Sequence, residues 1–137
     1  MKKINATKGD FVNIINGLFA VQDLPGKDFG LVVSKNITIL KESLKDLEDA
    51  GKPSDEFMAL AEKVNAIANE NTEDSKDRIQ KLQEENEELV KTRKDQMDAL
   101  TKVMEEKIEV EIHMIEEDVL PNSVTAKQIN QLEKIIE

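Results

Sequence analysis

The sequence holds no cysteine, no tryptophan and no tyrosine, and only four phenylalanines among its 137 residues. Without cysteine there is no disulfide framework, no thiolate nucleophile and no thiolate metal site, which fits a reducing cytoplasm. With so few aromatic side chains, stacking platforms for bases and the aromatic anchors of tight interfaces are scarce. Long apolar runs are missing as well, so no segment reads as spanning a bilayer. The start, MKKINATKGD, has lysines with no apolar run behind them and does not read as a signal peptide. The phosphate-binding patterns GxxxxGKS/T and GxGxxG, the zinc pattern HExxH, EF-hand loops and serine-nucleophile motifs are all absent. The expectation is a protein that is not an enzyme and carries no metal or cofactor.

Charge is plentiful but unbalanced. Twenty-nine acidic residues against 19 basic ones leave a formal net charge of -10. Duplex nucleic acid and anionic membranes are repelled on average, so neither is an expected partner. Lys2, Lys3 and Lys8 read as solvated surface lysines. The chain is 39% hydrophobic and 35% charged, against typical values of roughly 45–50% and about 25%. That balance suits helices that each bury one stripe.

Along the chain, Lys3 to Thr7 alternates polar and apolar residues as a short strand does. Asp10 is the expected cap of a helix whose inner face is Phe11, Ile14, Ile15, Leu18 and Phe19, ending before Leu24-Pro25-Gly26. A second helix is expected over 28–50, with Phe29, Val32, Val33, Ile37, Leu40, Leu44 and Leu47 inward. Gly51-Lys52-Pro53 stops it. Ser54 caps a third helix to residue 70, with Phe57, Leu60, Ala61, Val64 and Ile67 on its apolar side. The stretch Asn69–Ser75 reads as a turn, with Thr72 or Asp74 as the next cap; a continuous exposed helix is the alternative.

The fourth helix is expected over 75–107. Ile79, Leu82, Asn86, Leu89, Arg93, Gln96, Leu100 and Val103 alternate steps of three and four, the pattern of a coiled-coil seam. Its polar members either set register and partner number or turn to solvent. From residue 108 the period becomes two. Ile108, Val110, Ile112 and Met114 are expected in the core, and Glu109, Glu111, His113 and Ile115 on the other face. Thr125 and Gln128 fit a capping box for a closing helix with Ile129, Leu132, Ile135 and Ile136 on one side.

These elements make a mainly α fold in one domain, residues 1–137. Residues 28–50 and 54–70 would run about 35 Å and about 25 Å, and 75–107 about 50 Å, so the long helix can return along the two shorter ones. The expected architecture is an elongated helical hairpin, a coiled-coil stalk over 28–107. A small two-stranded sheet and short helices form its base, 1–27 and 108–137. An uncovered seam commonly finds another copy of itself, so Ile79, Leu82, Asn86, Leu89, Arg93, Leu100 and Val103 are the expected homo-oligomer seam.

Three clusters carry candidate chemistry. Glu109, Glu111 and His113 share a strand face and could hold a divalent metal, but a wet strand face is charged anyway. Glu84, Glu85, Glu87 and Glu88 form an acidic block that reads as solvated helix surface, with mimicry of DNA charge as the sharper reading. Lys27, Ser34 and Lys35, with Asn36 beside them, lie near the start of the second helix, where a small anionic ligand would be favoured; a structural turn at Gly26 and Gly30 is the plainer reading.

The chain resembles small accessory proteins of tailed bacteriophages, most of which have no assigned activity. The similarity rests on the short helix leading into Leu24-Pro25-Gly26-Lys27 and on the Lys35-Asn36 step. It also rests on the charged middle and on the ending Val110-Glu111-Ile112-His113, Asp118-Val119-Leu120-Pro121, Thr125-Ala126-Lys127-Gln128 and Leu132–Ile136. The resemblance implies a viral protein of the host bacterial cytoplasm or the virion and carries over no functional residues. Two functions follow as expectations: an accessory protein that binds a phage or host protein through an oligomeric stalk, or an inhibitor of bacterial defence that binds an effector or sequesters a nucleotide messenger.

Overall fold

A computed structural model describes all of residues 1–137. About 70% of them are helical, in seven α-helices and two short 3-10 turns, and the remainder includes one two-stranded antiparallel sheet. The order is β1 (Lys2–Thr7), α1 (Lys8–Val21), α2 (Lys27–Ser43), α3 (Lys45–Gly51), α4 (Asp55–Glu70), α5 (Ser75–Glu85), α6 (Glu87–Met104), β2 (Lys107–Ile112) and α7 (Ala126–Leu132). Short 3-10 turns occupy Glu117–Val119 and Glu133–Ile135. The chain forms two compact units, one of Met1–Leu47 with Lys102–Glu137 and one of Glu48–Thr101. The unit that carries both termini therefore takes in α2, which sequence periodicity alone assigns to a stalk.

In the first unit, β1 and β2 pair with Ile4 opposite Val110 and Ala6 opposite Ile108 on the inner side. Lys3 stands opposite Glu111 and Asn5 opposite Glu109 on the outer side, and all four are exposed. Period-two alternation allows only one face to be apolar, and Val110 and Ile112 are buried as expected. The strand is shorter than expected, however, and ends at Ile112 rather than at residue 115. Past that point the backbone leaves β1 and joins the C-terminal segment. Ile115 N–H donates to the Ile135 carbonyl at 2.7 Å, and Glu137 N–H donates to the Ile115 carbonyl at 2.8 Å. Changing partners breaks the alternation: Ile115, expected on the outer face, is fully buried, and Met114, expected in the core, is only half-buried.

Thr7, not Asp10, caps α1. Thr7 Oγ1 accepts from the Asp10 N–H at 3.0 Å, and the Asp10 carboxylate accepts from the Thr7 N–H at 3.1 Å. This reciprocal pair satisfies two donors that a helix start leaves unpaired, and it lets the helix follow the strand with no loop. Phe11, Ile14, Leu18 and Val21 are at most 1% exposed. Phe19, expected with them, lies 37% exposed and holds the Lys41 ammonium over its ring at 5.5 Å. One full turn before Val21, Gly17 meets α7 so closely that a Cβ there would lie 2.9 Å from the Gln131 Cβ.

α2 begins after Gly26, whose φ of 118° is open to glycine and strained for other residues. Its buried stripe is Phe29, Val33, Asn36 and Leu40; Val32 and Ile37, expected inward, are half-buried. The helix expected over 28–50 breaks at Leu44 into α2 and α3, although the Leu44 N–H still reaches the Leu40 carbonyl at 2.9 Å. At the other end of the chain, Thr125 and Gln128 form the expected capping box on α7. Leu132 and Ile135 close the core with no exposure, while Ile129 is 37% exposed.

The second unit is a helical hairpin. Ser54 caps α4 by accepting from the Phe57 N–H at 3.1 Å. Asn71 ends α4 in the left-handed conformation at φ 49°, a position that asparagine tolerates. The expected turn is therefore real, and the continuous-helix alternative is not adopted. The buried Ser75 hydroxyl secures it by donating to the Ile67 carbonyl at 3.1 Å and accepting from the Thr72 N–H at 3.0 Å. Asp74 stands at the cap position without bonding the helix start; the Thr72 hydroxyl bonds it instead and lowers its pKa. Arg78 pairs with Glu70 across the turn.

The helix expected over 75–107 is two helices ending at Met104. Asn86 interrupts it: its Nδ2 donates to the Leu82 carbonyl at 2.8 Å while its own N–H tightens onto the Gln83 carbonyl at 3.2 Å. A short polar side chain bonding back to the preceding turn competes with the regular ladder in this way.

Candidate functional site

Every seam residue from Ile79 to Val103 is half-buried, and none of the side chains of α6 is fully covered. Within Glu48–Thr101, Leu60 is the one buried hydrophobic residue. All the others belong to the first unit, so the hairpin has a stripe but scarcely a core.

The polar members of the seam do something the heptad pattern does not reveal. Arg93 Nη1 donates to the Gly51 carbonyl and to Gln96 Oε1, each at 2.8 Å. Gln96 Nε2 donates to the Ala50 carbonyl at 2.7 Å and to the Lys52 carbonyl at 2.8 Å. These carbonyls lie at the end of α3 and the break after it, where a helix leaves its last acceptors without partners. Arg93 and Gln96 thus cap that break from within the chain, and Arg93 also lies over the Phe57 ring at 5.7 Å. The unsatisfied carbonyls implied by Gly51-Lys52-Pro53 were the available signal; which side chains would reach them depends on the fold.

Phe57 and Leu89 line an open cleft of about 340 Å³ with Thr92 and Arg93. Beside it lies a wider groove of about 670 Å³, bordered by Glu56, Glu84, Glu85, Glu87 and Glu88 with Leu89. All four glutamates of the block border this one groove, with Asn86 among them.

The anion candidates do not converge. Lys27, Ser34 and Lys35 are exposed, and Ser34 borders a depression shared with Gln22, Gly30, Thr38 and Lys41 but not with the two lysines. Asn36 is no ligand group: it has no exposure, and both polar ends of its side chain are bonded to the backbone of His113. His113 lies beyond the end of β2, and it does not combine with Glu109 and Glu111 into a group of three able to hold a metal ion. No helix is long and apolar enough to cross a membrane. Compared with protein families, with curated proteins and with solved structures, the chain matches none.

Proposed function

We propose that the protein is a non-enzymatic accessory protein of a bacteriophage that acts by binding, with residues 79–103 pairing against a second copy to form an oligomeric helical stalk. The observation that carries this reading is the state of α6, an amphipathic helix of 18 residues with no fully buried side chain. Leaving the Leu89 and Leu100 side chains half in water forgoes roughly 1 kcal/mol or more each, a gain that a second copy restores to both partners at once. The Gln96 carboxamide is already satisfied inside the chain, and Arg93 Nη1 is bonded there as well, so covering this face leaves that carboxamide paired. The phage setting, and with it the host cytoplasm or the virion as the proposed location, draws on the resemblance at both ends of the chain.

Zero-length crosslinking of a mixture of unlabelled and isotope-labelled protein tests the pairing. Mixed-label links from Lys91 or Lys94 of α6 to a second copy are expected, because both lysines are exposed beside the seam. Finding only same-label links over a wide concentration range would overturn it.

A further inference from the structure

The depression in the first unit bordered by Gln22, Gly30, Ser34, Thr38 and Lys41 has an unusual lining. The chain carries 29 Asp and Glu residues, yet none lines this depression; its polar groups are an ammonium, two hydroxyls and a carboxamide. The ammonium, the Ser34 hydroxyl and the carboxamide can donate hydrogen bonds to a ligand, and one is a fixed cation; the Thr38 hydroxyl already donates to the Ser34 carbonyl at 3.2 Å. The chemistry that fits is an acceptor-rich anion. Ile37 adds an apolar side. The volume, about 400 Å³, falls within the range of small-molecule sites, roughly 300–1,000 Å³.

Gly30 gives a second, independent indication. It lies inside α2, where glycine is a poor helix former. Its φ is not positive, and a Cβ there would meet nothing within 4 Å. Neither backbone conformation nor close packing accounts for glycine at this position; what the missing side chain leaves is open space on the border of the depression. The Gly30 N–H already donates to the Gly26 carbonyl at 2.9 Å, so the donors on offer are side chains rather than helix-end amides. Lys41 is held in place by the Phe19 ring beneath it at 5.5 Å.

We propose that this depression binds a small phosphomonoester. The phosphate pairs with Lys41, accepts from Ser34 and Gln22, and leaves its organic part along Ile37; the Thr38 hydroxyl, which donates to the Ser34 carbonyl at 3.2 Å, only borders the site. Three terminal phosphate oxygens match this set of donors. The charge comes from Lys41 and not from Lys27 or Lys35, which do not line the depression.

The test is a titration of the full chain with inorganic phosphate and with adenosine monophosphate, followed by amide chemical shifts. Saturable shifts confined to Gln22 with its neighbours and to the segment around 30–41 are expected, with the nucleotide binding more tightly than phosphate. Lys41→Gln should weaken binding about tenfold, the loss of one charge-assisted bond, while Lys35→Gln should leave it unchanged. Gly30→Leu should abolish binding without lowering the melting temperature, because the added side chain enters open space. The proposal is overturned if neither probe gives saturable shifts. It is equally overturned if Lys35→Gln weakens binding as much as Lys41→Gln, or if Gly30→Leu binds like wild type.

Discussion

Asn36 and His113, 77 residues apart, exchange a matched pair of hydrogen bonds: Asn36 Nδ2 donates to the His113 carbonyl at 2.8 Å, and the His113 N–H donates to Asn36 Oδ1 at 2.9 Å. A side chain of α2 thereby does for the residue after β2 what a neighbouring strand would do. Asn36→Ala leaves both backbone groups of His113 without partners and should cost about 1–3 kcal/mol, read as a lower urea midpoint. Asn36→Asp keeps the shape but places a buried carboxylate against a carbonyl. It should be at least as destabilising at pH 7 and should recover in part as acid protonates it. A loss below about 0.5 kcal/mol in both variants would show that this pair does not hold α2 to the sheet.

Gly17 tests the packing of α1 on α7. A Cβ at this position would lie 2.9 Å from the Gln131 Cβ and 3.1 Å from Leu132 Cδ2. The Gln131 Cβ is fixed to its backbone and cannot swing away. Overpacking typically costs about 1–3 kcal/mol, more than the roughly 0.5–1 kcal/mol by which alanine improves a helix interior. Gly17→Ala should therefore lower the melting temperature, and Gly30→Ala, with open space before it, should raise it. Equal shifts in the two variants would contradict the close approach.

Asp10 gives the fold a pH dependence. The backbone hydrogen bond from Thr7, and next the Thr7 side chain, hold its carboxyl below the ordinary value of 3.8. A carboxylate with a depressed pKa in the folded state stabilises above the unfolded pKa and loses that contribution as pH falls through the folded value. Because the group lies near solvent, the contribution belongs at the low end for capping, roughly 0.5–1 kcal/mol. The stability gap between wild type and Asp10→Ala should thus be steady above about pH 5 and close below pH 3.8. A gap that is unchanged down to pH 2.5 would exclude the charged capping box.

On the sheet, Val110→Asp should unfold the first unit or destabilise it by several kcal/mol, since it buries an unpaired charge. Glu111→Gln should shift stability by no more than about 0.2–1 kcal/mol, the worth of an exposed cross-strand pair with Lys3. Thermal melts of the two variants distinguish this register from a slip of one residue, which would reverse their order.

Much of this architecture is legible in sequence, because local rules act within a few residues. The caps at Ser54 and Thr125, the turn after Asn71, and the inner positions Val110 and Ile112 all follow from period and end chemistry. What local pattern hides is where polar side chains go over long range. Asn36 resembles an exposed neighbour of Lys35, yet it is fully buried because its partner lies in β2's extension. Arg93 and Gln96 look like defects in a seam, yet they serve carbonyls more than 40 positions earlier. Ile115 follows the alternation of β2 only until the backbone changes partners to meet Ile135. Ser34 belongs to a depression whose cation, Lys41, lies two turns along the helix from it; the exposed Lys27 and Lys35 are close to Ser34 in sequence but do not line the depression.

Sedimentation equilibrium of wild type beside Leu89→Asp is the sharpest test of the proposed pairing of the half-covered α6 face with a second copy. Leu89 is half-buried within its own chain, so an aspartate there is tolerable in a single copy but becomes an unpaired buried charge in a pair, at a cost of several kcal/mol. Wild type should have the mass of two or more chains and Leu89→Asp the mass of one, with an unchanged far-ultraviolet circular dichroism spectrum. A wild type that remains at the mass of one chain up to high concentration, or a Leu89→Asp variant that remains as associated as wild type, would contradict the pairing.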